Sequence, residues 1–302
     1  MRFPPPLTAG SRVALVAPAG PLRGEIDIQR AVETTRAMGW EPVVGAHAGE
    51  RSSYLAGSDE HRLADLNRAA ADDSIDAIWC IRGGYGCMRL LDGVDYDAWR
   101  KRPRALIGYS DITALHAAIG GRAELITFHG PTARSNLTPF SASLLTQALV
   151  GRTSHTLTAR DAETLRTGCV RGRLAGGNLA LVASLAGTPY APSLDGVILV
   201  VEDVNESVYR IDRMFTQLRL AGALSRVAGI AFGQFTDIPQ ADDGTEEMRP
   251  LGELLREVAD QCGVPCIANI PVGHVGDQWT LPLGAFAELD ADAKSLSIEA
   301  IR

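Results

Sequence analysis

The sequence predicts an α/β protein of two domains, and three observations carry that expectation. Short apolar runs alternate with helical patterns through the first half. Such alternation implies a parallel sheet covered on both faces. The chain has 302 residues, more than one ordinary core organises at roughly 150 residues per domain. The second half opens on a Gly-rich segment (Gly172, Gly176, Gly177) and mixes its elements differently.

Taken in order, Val13–Ala17 is a β-branched run closed by Pro18, Gly20 and Pro21. Glu25–Met38 carries Ile26, Ile28, Ala31, Val32 and Thr35 at near-helical spacing, and Gly39 stops it. Pro42–Val44 is a second short strand, and Ser58 or Asp59 caps a helix bearing Leu63, Leu66 and Ala70. Strands follow at Ile75–Ile81, Arg104–Tyr109 and Leu125–Phe128. From about Pro139 to Gly168 the pattern loosens into Ser/Thr-rich sequence. The expected division is a first domain over 1–150, a linker at 151–169 and a second domain over 170–302. In the latter, Leu179–Ala186 and Arg249–Gln261 read as helices, and Val197–Val201, Val227–Gln234 and Ala287–Ile301 as strand sequence.

At 46% hydrophobic and 22% charged residues the composition is that of a globular protein. A net charge of -7 and the lack of any basic run interleaved with aromatics argue against nucleic acid as a partner. Met1–Gly10 has three consecutive prolines and no apolar h-region, so no signal peptide is expected there. No apolar run reaches the roughly 18 residues of a membrane span. Five cysteines at irregular spacing make no disulfide framework, and no Cys/His pairing completes a zinc site. These features read as a cytoplasmic chain with reduced thiols, no metal and no cofactor.

In parallel sheets ligands gather beyond the carboxyl ends of the strands. Those ends are Pro18, Arg82-Gly83-Gly84, Ser110 and His129-Gly130-Pro131. Around Ser110, Arg104-Ala-Leu-Ile-Gly-Tyr-Ser-Asp-Ile-Thr-Ala-Leu-His is a strand turning abruptly into a helix. A serine there has its hydroxyl raised over the sheet beside free backbone N–H groups, the logic of a nucleophile elbow, although the full G-x-S-x-G pattern is missing. A plain helix N-cap is the competing reading. An N–H from the Gly83-Gly84 turn, placed at Gly84, together with that of Asp111, would form an oxyanion hole. Gly84-Tyr-Gly86 also resembles the start of a dinucleotide loop, but Arg89 stands where the third glycine belongs.

A serine nucleophile needs a base, and the base needs an orienting partner. Of six histidines, His47 and His61 sit in polar segments, His155 in the linker, and His116 on the helix after Ser110. His129 ends a strand on the reactive edge, while His274 lies in a loop rich in Gly and Pro. Local sequence does not separate these last two. Glu202 closes the apolar run Val197-Ile-Leu-Val-Val, where a carboxylate is unusual without a partner. A solvated strand end is its alternative.

These segments together resemble the LD-carboxypeptidases of serine peptidase family S66, which includes the microcin C self-immunity proteins. The matching blocks are Val13-Ala-Leu-Val-Ala-Pro-Ala-Gly, Ile81-Arg-Gly-Gly-Tyr-Gly, Leu106-Ile-Gly-Tyr-Ser-Asp-Ile-Thr-Ala-Leu, Thr127-Phe-His-Gly-Pro, Gly176-Gly-Asn-Leu, Val201-Glu-Asp-Val-Asn-Glu, Tyr209-Arg-Ile-Asp-Arg and Pro271-Val-Gly-His. The resemblance implies Ser110 as nucleophile, His274 as base and Glu202 as the residue orienting it. It implies a class I glutamine-amidotransferase-like (flavodoxin-like) N-terminal domain and a smaller, β-rich swivelling-type C-terminal domain, with the site in the cleft between them. It further implies a metal-free homodimer that removes D-Ala from murein tetrapeptides during peptidoglycan recycling. Hydrolysis of microcin C-like peptide-nucleotides is the alternative within that class, and a non-catalytic ligand-binding protein on the same scaffold the alternative outside it.

Overall fold

The apolar runs of the first half become strands β1 (Arg12–Val16), β2 (Glu41–Val44), β3 (Ala77–Cys80), β4 (Ala105–Gly108) and β5 (Thr127–His129). The structure, a computed structural model, describes residues 1–151, 153–239 and 249–300. Helices α1 (Glu25–Ala37), α2 (Asp59–Ala71), α3 (Tyr96–Lys101) and α4 (Thr113–Ala123) connect these strands. β1, β3 and β4 are almost wholly buried, as expected where helices cover both faces of a parallel sheet. Ser58 is the N-cap of α2, accepting from the His61 N–H at 3.1 Å.

All neighbours in the order β2-β1-β3-β4-β5 are parallel, and a sixth strand, β12 (Leu281–Leu283), joins β5 antiparallel. In this doubly wound order the direction of winding reverses between β1 and β3, which opens a crevice at their carboxyl ends. The loops Pro18–Gly20 and Arg82–Gly84 leave the sheet there.

The second sheet has eight strands, β6 (His155–Thr158), β14 (Ser295–Ile298), β13 (Phe286–Asp290), β8 (Cys169–Asn178), β9 (Val197–Val204), β10 (Gly229–Thr236), β11 (Cys266–Ala268) and β7 (Glu163–Arg166), in that spatial order. β8 to β11 run parallel, and the flanking strands are antiparallel. Helices α6 (Leu179–Leu185), α7 (Val208–Leu220) and α8 (Leu251–Cys262) build the core of this unit, with Val182, Leu199, Phe215, Phe232 and Leu254 among its buried side chains. Each such side chain contributes about 1.5–3 kcal/mol by leaving water. The molecule is therefore mixed α/β with two sheets.

Two compact units result, Met1–Arg152 with Gly276–Gly284, and Thr153–Val275 with Ala285–Arg302. The segment expected as a linker over 151–169 instead carries β6 and β7 at the two edges of the second sheet. His-Thr-Leu-Thr and Glu-Thr-Leu-Arg are edge-strand sequences with one apolar residue each, and such polar strands read as loop without their partners. Pro139–Leu149 is likewise a helix, α5, with Thr138 as its N-cap and Leu145 and Leu149 buried. A single cut near residue 170 also misses the return of 276–284 to the first sheet, where β12 pairs with β5. Residue 152 of the expected linker and Ile301 of the expected final strand lie outside the described residues.

Candidate active site

Ser110 sits where β4 ends and a single 3-10 turn, 110–112, leads into α4. Its φ is +65°, a left-handed conformation that costs a non-glycine residue about 1–2 kcal/mol. An ordinary N-cap has extended φ/ψ and accepts from the helix; here the residue before the turn makes no side-chain cap. The elbow reading fits this backbone, because strain of this kind gathers where a side chain must be raised over a sheet.

The β3 loop packs directly against the serine. A Cβ placed on Gly83 would lie 2.8 Å from Ser110 Cβ and 3.1 Å from its Oγ, so only glycine fits. The Gly83 carbonyl accepts from the Gly20 N–H at 3.1 Å. Carbonyl and following N–H point oppositely across a trans peptide, so the Gly84 N–H is aimed away from the β1 loop. The Asp111 N–H heads the turn into α4, where backbone donors lack intrahelical acceptors.

The Asp111 side chain was not singled out by sequence reasoning. It is buried at 2% exposure and accepts from the Cys87 N–H at 2.8 Å. Burial raises its pKa, against the bonds from Cys87. Asp111 thus ties the Gly84–Gly86 turn to the elbow. An acid one residue after the serine reads locally as helix-start chemistry, and only tertiary proximity reveals its partner.

Arg82, in the same loop, donates to the Pro21 carbonyl, and burial lowers its pKa, followed by the nearby Arg134. Arg134 follows β5 and pairs with Asp27 at 3.3 Å. Its segment is held along the end of β3 by Ala133 N–H to Cys80 O at 3.0 Å and Trp79 Nε1–H to Pro131 O at 2.8 Å.

Two histidines lie beneath the elbow. His116 Nε2 donates to Gly108 O at 2.8 Å, and burial pushes its pKa down to about 4. It is a neutral core residue. His129 is 1% exposed, its ring 6.1 Å from that of Tyr109 in edge-to-face geometry. The ring is closed off from solvent.

In the other unit Glu202 meets His274. β9 continues to Val204, so Glu202 lies within the strand and does not end it. Its side chain is 0% exposed, and Oε2 stands 2.9 Å from His274 Nδ1. A carboxylate only accepts, so Nδ1 carries the proton and Nε2 is left as the basic nitrogen. Gly233 and Gly273 make the space, since a Cβ on either would fall 2.9 Å from Glu202 Cβ. Gly273 has φ +118°, which a side-chain-bearing residue would not adopt without strain. Asp203 points to the opposite face of the sheet. It accepts from Asn178 Nδ2 and the Ala180 N–H, and burial pushes its pKa up to about 6. Asn178 and Asp203 together cap α6.

The sequence-predicted residues therefore fall into two groups. Ser110, Gly84 and Asp111 gather at the carboxyl edge of the first sheet, and Glu202 and His274 are hydrogen-bonded in the second unit.

Residues 13–130 match the model of the LD-carboxypeptidase N-terminal domain, and residues 171–289 that of the LD-carboxypeptidase C-terminal domain. The chain is 38% identical to a putative carboxypeptidase of Synechocystis, covering 97% of this chain and 96% of the relative. It is 36% identical to the murein tetrapeptide carboxypeptidase of Pseudomonas aeruginosa, covering 93% and 94%. Among solved structures, the microcin C7 self-immunity protein in complex with glutamyl sulfamoyl guanosine superposes with a TM-score of 0.89 at 26% identity, over 99% and 98% of the two chains. No helix among the described residues is long and apolar enough to cross a membrane.

Proposed function

We propose, starting from the fact that this chain belongs to the LD-carboxypeptidase family S66, that it is a serine-type carboxypeptidase acting on murein tetrapeptides. The observation that carries the proposal is the fully buried Glu202 holding His274 through Nδ1 at 2.9 Å. Removing a carboxylate from water is costly, so a buried carboxylate–imidazole pair calls for a role.

In this reading His274 Nε2 takes the Ser110 hydroxyl proton as Oγ attacks the L,D amide carbonyl. The N–H groups of Gly84 and Asp111 stabilise the resulting oxyanion. His274 then returns the proton to the departing D-alanine nitrogen, and water, activated by the same base, releases the acyl-enzyme. Glu202 holds the ring throughout. Arg134 and Arg82 supply the positive charge that the substrate's terminal carboxylate needs. The same reading makes the enzyme a cytoplasmic homodimer working in peptidoglycan recycling. It also keeps the N-terminal domain glutamine-amidotransferase-like and the second domain swivelling.

The higher identity to a murein tetrapeptide carboxypeptidase, 36% against 29% to the microcin C7 self-immunity protein, favours the peptide over a peptide-nucleotide. The test is incubation with purified murein tetrapeptide and mass detection of D-alanine. Release of D-alanine supports the proposal. Turnover of an aminoacyl sulfamoyl nucleotide, with the tetrapeptide untouched, would replace it.

A further inference from the structure

We propose that His47, Glu50 and His61 form a binding site for a divalent transition metal, Zn2+ by the chemistry of its donors. None of the three belongs to the reaction proposed above. His47 and Glu50 lie on the turn after β2, and His61 in the first turn of α2. Their ligand atoms fall within 4.8 Å of one another. Both imidazoles turn Nδ1 to one carboxylate, His47 at 2.9 Å from Oε1 and His61 at 2.8 Å from Oε2. The rings are stacked, with centroids 4.0 Å apart and planes 14° from parallel. Two imidazoles and a carboxylate converging from one side are the donor set of an open zinc site, whose fourth position is left to water. Tetrahedral zinc separates its ligand atoms by roughly 3.3–3.5 Å, so partly exposed side chains need open only slightly to admit it.

The surroundings are built for the three groups. The His47 N–H is fixed by the buried carboxylate of Asp65 at 2.8 Å, and the His61 N–H by Ser58 Oγ. Gly57, at φ +95°, leaves the room that Glu50 occupies, since a Cβ there would fall 2.6 Å from Oε2. Carboxylates flank the cluster, Asp65 through its bond to the His47 N–H and Glu60 next to His61 in the chain. Arg51, the neighbouring cation, is engaged elsewhere, donating to Leu22 O at 3.1 Å.

The metal needs the lone pair of each Nδ1, so on binding the Nδ1 proton moves to Nε2 of a neutral ring or leaves a charged one, and affinity falls as pH falls. The ion would brace the 45–57 loop. That loop rests on the β1 turn through Ala56 N–H to Ala19 O at 2.9 Å, and the β1 turn supports Gly83.

The test uses the full chain, stripped with EDTA and exchanged into metal-free buffer. Titration with ZnCl2 by calorimetry, and metal content after dialysis, should give one zinc per chain with a concentration-dependent rise in Tm. Glu50→Gln and His61→Ala should each weaken binding about 100-fold or more while leaving turnover unchanged. Co2+ in place of Zn2+ should give the spectrum of a tetrahedral N/O site with no thiolate band. No stoichiometric uptake by the wild-type chain would overturn the proposal. So would uptake undiminished in the His47→Ala/His61→Ala double variant. If the variants fold poorly, the Co2+ spectrum of the wild type decides, because a thiolate band would assign the ion to cysteine.

Discussion

His274 presents Nδ1 to Glu202 Oε2 at 2.9 Å, and Glu202 has no exposure to solvent. The pair fixes one tautomer. The His274 side chain is partly exposed, and its remaining nitrogen is the one that can exchange a proton with a substrate or nucleophile.

If Ser110 and His274 work as a unit, Ser110→Ala and His274→Ala should each reduce kcat by roughly three to six orders of magnitude, and the double variant should be scarcely worse. His129→Ala serves as the control. It should lose stability, by about 1–3 kcal/mol for a buried side chain, yet keep most of its turnover wherever it remains folded. An inactive but folded His129→Ala beside an active His274→Ala would reverse the assignment of the base.

Glu202→Gln should reduce kcat by about 10²–10⁴-fold, since it disturbs tautomer and charge while the base remains. Gly273→Ala reaches the same pair sterically, because its Cβ would lie 2.8 Å from Glu202 Oε2 on a φ of +118°. Its expected signature is a fall in kcat with KM little changed. Equal kcat in Gly273→Ala and wild type would show that the pair tolerates displacement.

Gly83→Ala tests the elbow. The added methyl meets Ser110 Cβ, Ser110 Oγ and Tyr109 O within 3.2 Å. Steady-state kinetics should show about a 100-fold loss of kcat or more, the scale of an angstrom-sized misplacement, with thermal melting only mildly affected.

Arg134→Met should raise KM about tenfold for the tetrapeptide, the scale of one charge-assisted hydrogen bond, with kcat less affected. A substrate whose terminal carboxylate is amidated should lose this sensitivity. An equal loss with both substrates would assign Arg134 to scaffolding through Asp27.

Two buried groups should give acid stability opposing slopes. His116 has a folded pKa near 4, below its unfolded value, so its contribution is present above pH about 6.5 and is lost as pH falls toward 4. Asp203 has a folded pKa near 6, above its unfolded value, so its contribution is present below pH about 3.9 and is lost as pH rises toward 6. Asp203→Asn should therefore steepen the fall in Tm between pH 6.5 and 4 relative to wild type, taking these same pKa values. His116→Gln should flatten it.

The sequence by itself determined the parallel sheet, the abrupt turn at Ser110 and the family. Each is written in contiguous residues: buried strands as unbroken apolar runs, helices as periodic ones, and the elbow as strand, serine and helix in immediate succession. His129 and His274 were equivalent on that basis. The family resemblance chose His274; tertiary structure encloses His129 beside His116 and Tyr109 and brings Glu202 to His274 across 72 positions of chain. The Ser/Thr-rich stretch at 151–169 likewise became two edge strands only through partners, β14 for β6 and β11 for β7. Strand propensity is largely the fit of a segment to its neighbours. For the same reason the role of the Asp111 side chain and the meeting of His47, Glu50 and His61 were invisible in one dimension. A buried hydrogen bond and a shared ligand point are properties of pairs, and the chain order of these residues carries no record of which pairs fold together.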